Sequence, residues 1–123
     1  MLSILRYIPF HMVYFYGYFY FKFQVNLVFS VPPIVLFLAK SDKVSKYDLS
    51  SIRELRCGAA PLSEEVERAV MEKLNLNKIR QGYGLTETSL GVTLMPTDKF
   101  KFGSVGVLVP EMKCKVSEMF LCF

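Results

Sequence analysis

Histidine and cysteine, the residues that most often build metal and nucleophile sites, are scarce in this chain. His11 is the single histidine, and the three cysteines show no CxxC spacing. A structural zinc site needs about four such ligands at close spacing, so the composition argues against one. No Ser-His-Asp or Cys-His arrangement can be argued around His11. An odd number of thiols fits a reducing compartment, where free cysteine is usually a small buried apolar residue.

Charge is almost absent from residues 1 to 39, where only Arg6, Lys22 and the neutral form of His11 interrupt an apolar, aromatic run. A membrane segment is therefore considered but not favoured. Lys22 divides the run, Pro32 and Pro33 fall in its second half, and neither half reaches the roughly 20 apolar residues of a spanning helix. The run also lacks the small-residue cleavage pattern of a secretory signal.

The chain also lacks basic clusters, linkers and repeats. Its 15 Lys and Arg are scattered among 11 acids, giving a net charge of +4 without a basic-aromatic pattern, so a nucleic-acid partner is not expected. No segment rich in Gly, Ser or Pro divides the 123 residues, which amount to one domain at most.

The N-terminal third stands out by its crowded Phe and Tyr residues. The aromatic residues between Tyr14 and Phe23 favour a strand over a helix. We treat residues 1 to 30 as an irregular aromatic-rich segment and residues 31 to 123 as an α/β unit.

Alternating elements follow from residue 31. Pro32 and Pro33 can open a helix that runs to Lys40, and the alternation in Ile52–Cys57 is typical of a half-buried strand. Ser63 is a credible N-cap for an amphipathic helix that ends near residues 75 to 77. Lys78–Gln81 then predicts another strand, which completes a βαβ arrangement. Further strands are expected at Gly91–Met95, Val107–Pro110 and Met112–Val116.

The most unusual stretch is Gln81–Ser89, QGYGLTETS. Its glycines permit a turn or a close approach to a ligand, its tyrosine can stack on a ring, and its hydroxyls and carboxylate can address phosphate and a hard cation. Composition alone leaves a nucleotide site and a polar turn open. In a βαβ sheet, however, ligands bind at the carboxyl ends of the strands, where both Gly58–Pro61 and this stretch fall. That placement favours the nucleotide site.

These motifs resemble those of the adenylate-forming superfamily, the acyl- and aryl-CoA ligases and beetle luciferases. QGYGLTETS, CGAAPLS, KYDLSSIRELRCGAAPL and GSVGVLVPEMKCKV carry the resemblance, which covers residues 31 to 116. It implies a partial AMP-binding domain with ATP or AMP, magnesium and coenzyme A as cofactors, and a nucleotide and a carboxylic acid as partners.

The resemblance also implies a role for individual residues. Tyr83 would stack on adenine, Thr86 would hold the α-phosphate and Glu87 would bind magnesium, and Thr86 and Glu87 are the catalytic candidates. Ile8–His11 with Gly17 is an imperfect match to the family's upstream histidine motif, so His11 is a further catalytic candidate. The rest of the adenine wall would be Gly58, Ala59, Ala60, Gln81, Gly82, Gly84 and Leu85.

The family's phosphate loop, ribose-binding aspartate and C-terminal lid lysine have no match in this chain. We therefore expect a fragment of an ATP-dependent carboxylate–CoA ligase that is a poor catalyst alone. The alternative is a non-catalytic binding or interaction protein, associated with a membrane through residues 7 to 39. By resemblance the location would be peroxisomal or cytoplasmic, although Leu121-Cys122-Phe123 is not a peroxisomal tripeptide.

Overall fold

The computed structural model describes residues 10–115, with side chains from residue 15 onward. Helices and strands alternate through its first three quarters, and the last part is strands and loops. The elements are α1 (Phe10–Lys22), β1 (Leu27–Ser30), α2 (Pro32–Lys40), a 3-10 turn (Val44–Lys46), β2 (Glu54–Cys57), α3 (Glu64–Leu74), β3 (Ile79–Leu85), a second 3-10 turn (Thr86–Thr88), β4 (Leu90–Leu94) and β5 (Val107–Leu108).

The five strands form one sheet in the order β1-β2-β3-β4-β5. β1, β2 and β3 are parallel, and α2 and α3 are the crossovers between them. β4 and β5 are antiparallel to their neighbours. Because crossovers between parallel strands in sequential order share one hand, α2 and α3 lie on the same face of the sheet and pack together. The α/β prediction is confirmed.

Both crossover helices form where the sequence predicts them. Pro32 and Pro33 occupy the first turn of α2, where the missing N–H groups cost nothing. Ser63 is the N-cap residue of α3 in extended conformation, although its hydroxyl makes no capping bond. Asn75 ends α3 in the left-handed conformation, which asparagine tolerates better than most residues.

The core lies between the helices and one face of the sheet. Alternate residues of the parallel strands point to this face, so Val28, Leu55 and Ile79 are almost fully buried. They pack with Leu38 of α2 and Val70 of α3 in one apolar cluster. The strand order and the helices above it therefore place the carboxyl end of β2, at Cys57, beside Gln81 of β3, and β3 continues past this point to Leu85.

The strand predicted for Tyr14 to Phe23 is wrong, because these residues lie in and just after α1. Packing overrides the strand propensity of aromatic residues. Tyr20 is buried, Gly17 lies against the Tyr47 ring, and a Cβ at Gly17 would come within 2.8 Å of that ring. The segment is thus more regular than predicted. Among the described helices, none has both the length and the apolar character needed to cross a bilayer.

Two predictions for the second half of the chain also need correction. The strand predicted at Lys78–Gln81 continues as β3 to Leu85 because β4 pairs with it, so Gly82–Gly84 is part of a strand and does not form the turn that its glycines permit. Met112–Lys115, the described part of the last predicted strand, has no strand structure. Val116 lies outside the described residues. β1 falls inside the segment assigned to residues 1 to 30 and belongs to the same sheet, while the division at residue 30 stays a prediction.

Candidate functional site

A loop of small residues leaves the carboxyl end of β2. The backbone N–H of Gly58 donates to the carbonyl of Ser30 at 3.3 Å, which ties the start of this loop to β1. Ala59 has φ +69°, a left-handed conformation that costs a non-glycine residue about 1 kcal/mol. Ala59 and Ala60 are exposed, so this loop presents backbone and methyl groups to solvent.

The end of β3 lies beside this loop, and its glycines are needed for strand pairing. Gly82 and Gly84 pair with Leu94 and Gly91 of β4 across an irregular register. A Cβ at Gly84 would lie 1.5 Å from the Leu90 carbonyl oxygen, so no other residue fits there without moving β4. Neither glycine has the positive φ of a tight turn. Tyr83 between them is 47% exposed.

A single 3-10 turn follows β3 and presents the polar residues of the motif. Thr88 Oγ1 accepts from the Leu85 N–H at 3.0 Å and donates to the Leu85 carbonyl at 2.9 Å, which closes the turn. Within the described residues, the Thr86 hydroxyl and the Glu87 carboxylate make no hydrogen bond or ion pair with protein groups. Both side chains are therefore available to a ligand.

These segments surround a cavity of about 740 Å³ at the carboxyl ends of β2 and β3. Most of the predicted site residues line it: Gly58, Ala59, Gly82, Tyr83, Gly84, Leu85, Thr86 and Glu87. Ala60 and Gln81 do not line the cavity. The side chain of His11 lies outside the described part of the structure, so its role stays a prediction.

Gln81 points instead to the helix side of the sheet. Its side-chain oxygen accepts from the Leu62 N–H at 3.4 Å, so on the helix side of the sheet Gln81 links β3 to the loop after β2. Glu67, an acidic residue in the first turn of α3, is completely buried in this region. Burial raises the pKa of Glu67, and the nearby Gln81 side chain and Gly103 N–H only partly offset it.

The cavity also has a floor that the sequence did not reveal. Phe29, Arg56 and Arg80 are paired neighbours on β1, β2 and β3, and all three line it. The signal was available in the alternation of β2, since Glu54 and Arg56 point to the face opposite Leu55. Arg56 holds the pKa of the Glu54 carboxyl below its ordinary value, and Arg80 adds to the effect against the cost of burial.

Two further groups limit the chemistry of the cavity. Burial, with the nearby Glu67, raises the pKa of the Cys57 thiol to about 11, so the thiol is neutral and unreactive at physiological pH. No cluster of three or more metal-ligating side chains occurs among the residues that the structure describes. Of the acidic residues that the structure describes, Glu87 alone lines the cavity, and its free carboxylate suits a hard cation held jointly with phosphate oxygens of a nucleotide.

A second cavity, of about 320 Å³, lies between the Val44–Ser50 region and the end of α3. Lys73 lines this cavity, and its Nζ atom already donates to the carbonyls of Ala39 at 3.2 Å and Ser41 at 2.7 Å. This lysine joins α3 to α2, so we interpret the second cavity as a structural gap.

Together these features place the chain in the class of α/β proteins that bind ligands beyond the carboxyl ends of parallel strands. The profile of a known family, described as "AMP-binding enzyme", matches residues 19–119. The chain therefore belongs to the AMP-binding enzyme family, and the resemblance of its motifs to adenylate-forming enzymes is confirmed.

Curated relatives agree with this assignment. The chain is 42% identical over 97 residues to the luciferin 4-monooxygenase of Photinus pyralis, a match that covers 79% of this chain and 18% of that protein. It is 46% identical over 96 residues to the probable 4-coumarate–CoA ligase 2 of Dictyostelium discoideum, a match that covers 77% of this chain and 17% of that protein. The chain thus spans less than a fifth of the length of these relatives.

Solved structures show the same fold. A red-emitting luciferase from Phrixothrix hirtus aligns with a TM-score of 0.58 at 32% identity, covering 72% of this chain and 19% of that one. An anthranilate CoA ligase solved with anthranoyl-AMP aligns with a TM-score of 0.74 at 20% identity, covering 80% and 19%. At that identity the second likeness supports the fold alone.

Proposed function

We propose that this chain forms the adenine-binding wall of an ATP-dependent enzyme that activates a carboxylic acid as an acyl-adenylate. The observation that carries the proposal is the cavity shared by the Gly58–Ala59 loop and the residues from Gly82 to Glu87. It combines small residues with an exposed tyrosine ring, a free hydroxyl and a free carboxylate, which are the groups that a nucleotide needs.

Each of these groups has a distinct task in the proposal. The ring of Tyr83 stacks on adenine while backbone groups of the neighbouring glycines lie along its edge. The Thr86 hydroxyl donates to an α-phosphate oxygen, where negative charge grows as a carboxylate attacks the phosphorus and pyrophosphate leaves. Magnesium, held by Glu87, would neutralise part of that charge. Thioester formation with coenzyme A, or oxygenation as in luciferases, would then consume the adenylate.

We further propose that the chain by itself does not complete this reaction, because it spans so little of the length of its relatives. The assay is ATP–pyrophosphate exchange with a fatty or aryl acid. We expect the same background rate for the wild-type chain and for Glu87→Ala. Exchange that depends on Glu87 would contradict the proposed inactivity and would support the proposed role of Glu87.

AMP binding to the purified chain, measured by titration calorimetry, tests the adenine wall. Base–aromatic stacking contributes about 1–3 kcal/mol, so Tyr83→Ala should lower the affinity for AMP by roughly 5- to 150-fold. Tyr83→Phe keeps the ring and should retain most of the affinity. Tyr18→Ala is the matched control, because Tyr18 is 49% exposed on α1, away from the cavity.

Glu87→Gln separates the metal role from the adenine role. It should leave AMP affinity unchanged and remove the gain in ATP affinity that magnesium provides. The adenine wall would be refuted if the folded wild-type chain failed to bind AMP, or if Tyr83→Ala and Tyr18→Ala had the same effect.

A further inference from the structure

The end of the cavity farthest from Thr86 and Glu87 carries an unusual arrangement of charge. Phe29, Arg56 and Arg80 lie in register across β1, β2 and β3. Along β3, Arg80 and Leu85 are five residues apart, which at the rise of a strand is on the order of 15 Å. The cavity is therefore long enough to separate the adenylation chemistry from a second recognition point.

Positive charge is in excess at this end. The Glu54 Oε1 atom accepts from both Arg56 Nε at 2.6 Å and Arg80 Nη1 at 3.0 Å, so one carboxylate serves two guanidinium groups. Glu87, the acid that lines the cavity, is at the opposite end. One positive charge is left without a protein counter-charge at the floor of the cavity, among the residues that the structure describes.

Arg56 is the arginine that can meet a ligand. Arg80 is nearly buried and also donates from Nε to the Met95 carbonyl at 2.6 Å. Arg56 is 28% exposed, and within the described part of the chain its two terminal nitrogens make no hydrogen bond. Its guanidinium lies 5.3 Å from the centre of the Phe29 ring. The ring limits its position while the terminal fork stays free for a carboxylate.

The free terminal nitrogens of Arg56 make an uncharged occupant unfavourable at this end of the cavity, although the lining around them is apolar. Phe29, Val31 and Leu94 give this part of the cavity an apolar lining. A hydrocarbon tail placed here would strip water from the guanidinium without replacing its hydrogen bonds, whereas an anionic group would replace them.

We propose, building on the function proposed above, that the acid this site accepts carries a second carboxylate at its far end, bound by Arg56. The substrate class is a dicarboxylic acid: one carboxylate is adenylated near Thr86 and the other pairs with the terminal nitrogens of Arg56. Phe29 and the apolar lining contact the connecting chain.

The test compares decanedioate with decanoate, which have the same length, in calorimetric titrations of the full chain with excess AMP in the solution. Hydrogen bonds to a charged group predict that the wild-type chain prefers decanedioate by roughly 10- to 150-fold. Arg56→Met keeps much of the length of the side chain and removes its charge, so it should abolish the preference and leave decanoate binding equal or tighter. Arg53→Met, at an exposed neighbouring position that does not line the cavity, should retain the preference.

The outcomes separate this inference from the function on which it rests. AMP affinity is measured first and also reports whether the Arg56→Met chain is folded. Normal AMP binding with no preference for decanedioate, or a preference that survives Arg56→Met, overturns the dicarboxylate assignment alone. A preference that depends on Arg56 in a chain that does not bind AMP supports the anion site and refutes the proposed adenylation.

Discussion

Replacing Glu67 with glutamine should change how the stability of the chain depends on pH. Glu67 is 0% exposed, its Oε1 atom has no hydrogen-bond partner among the described residues, and its Oε2 atom accepts a long bond of 3.5 Å from the Gly103 N–H. Burial raises its pKa, with Glu64 adding to the rise, and Gln81, Gly103 and Arg68 oppose it. Glutamine has nearly the same shape and cannot ionise.

The sign follows from the raised pKa. The folded chain holds the Glu67 proton more tightly than the unfolded chain, whose carboxyl titrates near the ordinary value of 4.5. The stability that Glu67 contributes is therefore fully present below that pH and is lost as the pH rises through the folded-state pKa. When the carboxyl ionises in the folded chain, the unpartnered Oε1 atom carries buried negative charge that a glutamine does not have, and an unsatisfied buried group costs about 1–3 kcal/mol. We expect Glu67→Gln to be about 1–3 kcal/mol more stable than the wild type at mildly alkaline pH.

Urea unfolding followed by tyrosine fluorescence, from below pH 4.5 to mildly alkaline pH, measures this. The free energy of unfolding of the wild type should fall relative to that of Glu67→Gln as pH rises. Glu65→Gln, in the same helical turn but exposed, should follow the wild type. Parallel curves for the wild type and Glu67→Gln across the whole range would refute the placement of a buried carboxyl at this position.

Three further substitutions, in β3 and β4, test the geometry of this strand pair through the free energy of unfolding. Gly84→Ala places a Cβ against the Leu90 carbonyl, so it should lower the free energy of unfolding by about 3 kcal/mol or more and abolish AMP binding. Gly91→Ala is the control, because nothing lies within 4 Å of its Cβ, and it should change the free energy of unfolding by about 0.5 kcal/mol or less. Equal effects would contradict the close pairing of β3 and β4. Leu90 has φ +89°, a conformation that favours glycine, and its side chain is 80% exposed. Leu90→Gly should therefore raise the free energy of unfolding of the chain by up to about 1 kcal/mol. A clear loss of stability would show that the backbone at this position is not strained.

Elements with local signals were predictable from the sequence. α2 starts at a proline pair and α3 has an apolar stripe, and both form as expected. Their crossovers fix the neighbouring strand ends, so the meeting of Gly58 with Gly82 could be inferred from the chain order alone. The residue-level roles within the nucleotide site stay predictions that the binding experiments address.

Elements that depend on distant partners were not predictable. The aromatic run at Tyr14–Phe23 has strand propensity, but Tyr20 is buried in the core and the fit of Gly17 against Tyr47 favours a helix. The Gly82–Gly84 stretch looks like a turn until β4 returns to pair with it. In the sequence, Glu67 has the pattern of a solvated charge at the start of a helix. No residue near it in the sequence indicates that the loop at Gly103 covers it in the structure.

β3 pairs with the parallel strand β2 over its first part only, so the second part of β3 has one unpaired edge. β2 ends at Cys57, opposite Gln81, so among the described residues Gly82 to Leu85 have a strand neighbour only on the β4 side. An uncovered strand edge can recruit a strand from another chain. A flat base seated against this edge would occupy the backbone groups that such a strand would use. A bound nucleotide and a strand from a second molecule would therefore compete for the same few peptide groups, so occupancy of the site would also protect the chain from edge-to-edge association.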